Sequence, residues 1–228
     1  MNNCYIMNKY LSTSIMCANL LNLEKDIKDL ENLNVDYFHI DIMDGTFVPN
    51  LTFGPDIVNA IRKISNTPFD IHLLMNNPGV IIRSLNISHG DIITIHSECK
   101  ENIMENAAFV KQKDALFGIA LNPNNTVDEI KKYLPYIDVI LLMLIVPGFA
   151  GSTMIHGMME KVGETRKYLD KLGYKNIMIS VDGSVSAERA NYMSQLGANI
   201  FVGGTAGIFK KDIPLCETVP YFVRQIRN

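Results

Sequence analysis

The stretch Asp36-Tyr-Phe-His-Ile-Asp-Ile-Met-Asp-Gly45 decides how the rest of the chain is read. Side chains alternate across a strand with period two, so His39, Asp41 and Met43 share one face. On a strand of a closed barrel that face can point inward. His39 and Asp41 then stand about 7 Å apart at Cα, the rise of two strand residues, close enough to bind one ion.

The apolar run within it, 37–43, has counterparts on both sides, at residues 11–17, 69–75, 91–96, 116–121, 139–146, 177–182 and 200–203. Several lack clean polar alternation, as expected of parallel strands covered on both faces. Helical spacing fills the gaps. Leu20, Leu23, Ile27, Leu30 and Leu33 step by three and four, with charged residues between them. Pro55 and Pro78 sit where helices begin, Gly173 and Gly197 where they end, and Thr126-Val-Asp-Glu reads as a capping box. Eight β/α units in one chain predict a single-domain TIM (β/α)₈ barrel over residues 11–228, preceded by a tail at 1–10; an open doubly wound sheet is the competing architecture.

The chain has 228 residues, 47% of them hydrophobic and 20% charged, which suits a folded domain rather than a disordered one. A formal charge of -3 offers no basic field for nucleic acid or for an anionic membrane. The four cysteines lack C-x₂-C spacing, so neither a zinc ribbon nor a disulfide framework is expected. The first residues are too polar for a secretory signal, and the apolar run at 139–146 is too short to span a bilayer. A soluble, cytoplasmic protein is the expectation.

Barrel chemistry gathers at the C-terminal ends of the strands. There the run at 69–75 supplies His72, on the face it shares with Asp70 and Leu74, and the seventh run ends on Asp182 before Gly183. His39, Asp41, His72 and Asp182 make an N₂O₂ set suited to zinc, manganese, iron or cobalt. A lone histidine in an apolar strand is more often a hydrogen-bonded core residue, and Asp before Gly more often a turn former. Their joint placement at strand ends is what favours a site. Glycine clusters at Pro147-Gly-Phe-Ala-Gly151, Gly183-Ser184 and Gly203-Gly-Thr-Ala-Gly207 follow the last three strands, where barrels bind phosphate through backbone N–H groups.

With these residues in hand, the chain resembles the ribulose-phosphate 3-epimerase family along nearly its whole length. The matching blocks are Ser12-Thr-Ser-Ile-Met, His39-Ile-Asp-Ile-Met-Asp-Gly, Phe47-Val-Pro-Asn, Asp70-Ile-His-Leu, Leu121-Asn-Pro, Pro147-Gly-Phe, Val181-Asp-Gly and Gly203-Gly-Thr. The resemblance implies that His39, Asp41, His72 and Asp182 hold one divalent metal ion, with Asp41 and Asp182 as the acid/base pair. It places Ser14 and His72 near the substrate, and Met43 and Met143 in an apolar lid. It assigns Gly148, Phe149, Ala150, Gly151, Gly183, Ser184, Gly204 and Thr205 to the phosphate and substrate loops. The implied chemistry is removal of the C3 proton of a ketose phosphate to give an enediolate, then return of a proton to the opposite face. A homo-oligomer, dimer or hexamer, is implied by the same resemblance.

Several positions depart from the family pattern: Thr13 stands for Pro, Thr46 for His, Leu74 for Met, Leu144 for Thr, Val146 for a polar residue and Ser152 for Gln. Val146 cannot supply a polar strand-end contact. None of these changes removes a proposed metal ligand or proton-transfer group. Phe149-Ala-Gly, Asp182-Gly-Ser and Gly204-Thr-Ala-Gly-Ile-Phe look closer to the D-allulose-6-phosphate 3-epimerase branch, which makes D-allulose 6-phosphate the favoured substrate and D-ribulose 5-phosphate the alternative. A decarboxylase on the same scaffold would need Asp-x-Lys-x-x-Asp, whereas Asp41 is followed by Ile42-Met43-Asp44. A non-catalytic sugar-phosphate-binding barrel is the other competitor.

Overall fold

The computed structural model describes residues 8–227. Eight parallel strands close in chain order: β1 (Tyr10–Ser14), β2 (Tyr37–Met43), β3 (Phe69–Leu74), β4 (Ile92–His96), β5 (Leu116–Leu121), β6 (Val139–Met143), β7 (Met178–Asp182) and β8 (Ile200–Gly203). Closure is made by β1 pairing with β8, from Tyr10↔Ile200 to Thr13↔Gly203, which excludes the open sheet. Around the barrel run α1 (Leu23–Asn32), α2 (Pro55–Arg62), α3 (Gly79–Ser84), α4 (Ile103–Lys111), a 3₁₀ segment (Val127–Tyr136), α5 (Met158–Lys171), α6 (Ala187–Gln195) and α7 (Leu215–Arg227).

Strand parity divides the core into two layers. Outward-facing Phe38, Ile40, Ile42, Ile71, Leu73, Ile95, Ile119, Leu142, Ile179 and Phe201 are buried against the helices in one continuous cluster. Inward-facing residues instead stack along the barrel axis. Ile92, Val139 and Ile200, with Tyr10, Tyr37, Leu116 and Met178 around them, plug the N-terminal end. Above this plug the interior turns polar, with Ser12, Ser14, His39, Asp41, Asp70, His72, Thr94, His96 and Ser180 all buried. Polar groups are costly to bury in a barrel interior, so these residues mark the functional end.

The structure adjusts some boundaries. Tyr10 belongs to β1, and the Lys9 ammonium bonds the carbonyl of Ser194 at 2.9 Å, so the barrel takes in the last residues of the expected tail. Residues 1–7 of that expected tail lie outside the described residues. The first helix begins at Leu23 rather than Leu20. Asn19 accepts a hydrogen bond from the Leu21 amide at 3.2 Å and winds Leu20–Asn22 into a 3₁₀ turn, leaving Leu20 and Leu21 exposed. The capping box forms as read, with Glu129 accepting from the Thr126 amide at 2.8 Å, but it opens a 3₁₀ segment containing Pro135. Pro55 and Pro78 do open α2 and α3, and Gly173 and Gly197 follow α5 and α6 with positive φ. Among the described residues no helix is long and apolar enough to cross a membrane.

Candidate metal centre and active site

The register of β2, β3 and β7 brings the four ligand candidates together. His39 pairs with Asp70 and Asp41 with His72 across β2 and β3, while Asp182 ends β7 beside Met143 of β6. Each of His39, Asp41, His72 and Asp182 offers one ligand atom, and these atoms lie within 4.8 Å of one another. β2 and β7 are separated by β1 and β8, so the two carboxylates approach from different sides of the barrel mouth.

Hydrogen bonds orient the set. His39 Nδ1 lies 2.8 Å from Asp70 Oδ2, which also accepts from the Ser12 hydroxyl at 2.9 Å. Asp70 therefore fixes the ring so that Nε2 faces the cluster, 3.2 Å from Asp41 Oδ1. His72 Nδ1 reaches the same Asp41 oxygen at 3.0 Å. A single carboxylate oxygen approached by two imidazoles, with a second carboxylate nearby, is a donor set that a divalent cation fits. The outer carboxylate on His39 is the kind of partner that metal-binding histidines usually have.

The sequence pointed to Asp70 only as a neighbour of His72 and did not single out His96. His96 is fully buried, and its Nε2 lies 2.9 Å from His72 Nε2, so one ring donates and the other accepts. Its Nδ1 is 3.7 Å from Glu98 Oε2. The signal for it was available in strand parity, since His96 faces inward on β4 two residues beyond Thr94.

Burial and charge separate the two carboxylates. Burial raises the Asp41 carboxyl, but the His39 and His72 imidazoles outweigh that effect and hold it below the usual carboxylate range. Asp182 lacks such contacts; burial first, and then the Asp41 charge, push it up to about 7. Burial and the neighbouring imidazoles lower His72 to about 4 despite its bond to Asp41. Burial opposes the charge on His39 too, but Asp41 and Asp70 together keep it well above its usual range.

A cavity of about 280 Å³ opens above this cluster. Ser14, Asp41, Met43, Met143, Gly148, Phe149, Ala150, Gly151, Asp182, Gly183, Ser184, Gly204 and Thr205 all line it, along with residues the sequence did not single out, among them Met16, Cys17 and Ile145. His72 does not line it; the ring is fully buried beneath Asp41 and against His96, so the structure separates it from the cavity surface it was expected to share. Gly148 and Gly183 have φ values of 129° and 111°. A Cβ at Gly183 would stand 2.6 Å from Ile145 Cγ1, so the loop requires glycine there for space as well as conformation. Asn50 Nδ2 donates to the Gly148 carbonyl at 2.7 Å and ties the loop after β2 to the loop after β6.

The departures fall mostly outside the cavity. Val146 is 69% exposed and does not line it, so the missing polar group costs the cavity wall nothing. Ser152 bonds the Phe149 carbonyl at 3.0 Å, and Leu144 faces the outer core. Leu74 does line the cavity, packed with Met43 and Val48.

These residues sit on an enzyme scaffold whose relatives are identifiable. The model of the family described as "Ribulose-phosphate 3 epimerase family" matches residues 10–209. A ribulose-phosphate 3-epimerase of Bacillus subtilis is 36% identical over 196 residues, covering 86% of this chain and 90% of the relative. One from Chlamydia pneumoniae is 37% identical over 190 residues, covering 83% of each chain. Among solved structures, orotidine 5'-phosphate decarboxylase from Pyrococcus horikoshii superposes with a TM-score of 0.66 at 12% identity, covering 96% of this chain and 99% of that one, which speaks for the fold alone. The protein is thus an isomerase-class barrel enzyme, an epimerase. The chain belongs to the ribulose-phosphate 3-epimerase family.

Proposed function

We propose that the chain inverts C3 of a ketose phosphate, with Asp41 and Asp182 moving the proton and a divalent ion held by His39, Asp41, His72 and Asp182. The observation that carries this reading is the pair of carboxylates approaching one cavity from β2 and β7, on different sides of the barrel mouth and within reach of one ion. Inversion needs a group on each side of the substrate plane, one ready to take a proton and one ready to give it. A bound divalent ion would supply positive charge beside the C2 and C3 oxygens as negative charge develops there. Met43, Leu74 and Met143 give the reacting carbons a soft apolar wall, and Ser14 stands beside them. The glycine loops after β6, β7 and β8 would receive the phosphate, and zinc, manganese, iron and cobalt all suit the donor set.

D-ribulose 5-phosphate is the substrate that the names of the relatives put first. The Asp182-Gly-Ser and Phe149-Ala-Gly motifs favour D-allulose 6-phosphate as a second reading. The test is deuterium wash-in at C3 from D₂O, with both substrates side by side on metal-replete protein. Exchange with either, and kcat/KM to rank them, supports the reading. Binding without exchange overturns it in favour of a binding protein.

A further inference from the structure

The cavity lining contains two carboxylates and no lysine or arginine. The terminal group of a ketose phosphate carries about -1.5 to -2 charges at neutral pH. A cation reaches this wall from behind. Arg189, in the first turn of α6, places Nη1 2.7 Å from the Ser184 carbonyl oxygen and 2.7 Å from Ser184 Oγ. Among the described residues no carboxylate pairs with Arg189, so its charge is not cancelled locally.

Ser184 is unusual in its backbone. Its φ is 54°, and of the four described non-glycine residues with positive φ it alone lines the cavity. The other three are Asn34, Asp114 and Asp212, residue types that tolerate this region better than serine does. Something must hold Ser184 there, and the paired contacts from Arg189 do. They also fix the polarity of the hydroxyl. A guanidinium has donors and no acceptor, so Oγ accepts from Arg189 and keeps its own proton to give. Among the described residues no protein group accepts that proton, and the side chain borders the cavity.

We infer that Arg189 is a positioning residue for the substrate phosphate, acting through Ser184. It clamps Ser184 in the left-handed conformation and commits the hydroxyl to donating, so this loop selects an anionic monoester end over a neutral one. The inference rests on the ketose-phosphate reading above. Its test compares wild type, Arg189→Met, Ser184→Gly and the double variant, all metal-loaded, using D-ribulose 5-phosphate turnover and competition by inorganic phosphate. Arg189→Met is expected to raise KM and the phosphate inhibition constant about tenfold, the worth of a charge-assisted contact, with the loss falling on KM rather than kcat. In the Ser184→Gly background the same substitution has a much smaller effect, because glycine needs no clamp and has no hydroxyl to orient. Cobalt(II) stoichiometry reports the fold; if Arg189→Met fails to hold cobalt, Arg189→Gln is measured in its place. Equal losses in both backgrounds, or a loss confined to kcat, overturn the role of Arg189 while leaving the ketose-phosphate reading intact. If inorganic phosphate fails to compete even in wild type, the phosphate site itself falls and the inference with it.

Discussion

Asp41 and Asp182 are the same residue type facing the same cavity, and only their neighbours distinguish them. Asp41 receives His39 and His72, whereas burial and the Asp41 charge act on Asp182 without a comparable partner. Removing the proton-transfer capacity of Asp182 while keeping its shape should therefore separate chemistry from assembly. Asp182→Asn is expected to abolish C3 deuterium exchange while the protein still binds metal, measured by elemental analysis alongside the exchange assay. His72→Ala should lower metal content; full occupancy with a wild-type rate would show that the site lies elsewhere. Asp70 acts one step further out. Its carboxylate sets the His39 tautomer, so Asp70→Asn is expected to weaken metal binding by about 10- to 100-fold, the range for outer partners of ligating histidines. Chelator competition measures it, and an unchanged affinity would remove Asp70 from the centre.

At the scale of elements, strands were easier to read than helices for a physical reason. A barrel strand is buried on both faces, so its apolar run is continuous, and β2, β5 and β8 match their sequence runs residue for residue. Where runs overshot, a turn took over the last residues: 15–17 are apolar but wind into a 3₁₀ turn, and 144–146 leave β6 for the cavity loop. Helix starts depended on local hydrogen bonds that spacing does not reveal, as Asn19 shows by capping a 3₁₀ turn ahead of α1. In the site, residues on strand ends were legible because period two fixes their direction. His96 and the Asp70–His39 bond were harder, since they depend on which strands become neighbours. The glycine loops were legible as turns, and the structure adds why two of them require glycine. Gly183→Ala should cost the loop about 1–3 kcal/mol in backbone strain alone, before the clash with Ile145. The expected outcome is a lower Tm together with a raised KM; a variant indistinguishable from wild type in both would show that the loop has another conformation within easy reach.

For the whole molecule, the site is a polar interior set on an apolar plug, and a cost of that arrangement is carried by Asp182. An unfolded aspartate titrates near about 3.9, whereas burial and the Asp41 charge bring Asp182 to about 7 in the fold. Between these values the native state holds a proton that the unfolded state has released. For this group the protons bound by the unfolded state minus those bound by the native state are then negative, and its contribution to stability falls as pH rises across that window. His39, held above its usual range, contributes with the same sign, and His72, lowered to about 4, with the opposite one, so the raw slope does not assign the effect to one residue. The difference between wild type and Asp182→Asn does, because the amide does not titrate. In metal-free protein, denaturant unfolding from about pH 4.5 to 7.5 is expected to show the stability of wild type falling relative to that of Asp182→Asn as pH rises. Metal reverses the balance. Ligation needs the carboxylate ionised, so binding releases the proton and strengthens as pH approaches 7. The increase in Tm on adding zinc or manganese should therefore be larger at pH 7.5 than at pH 5.5 in wild type. Parallel pH curves for the two metal-free proteins would show that Asp182 is not the residue whose proton the fold retains.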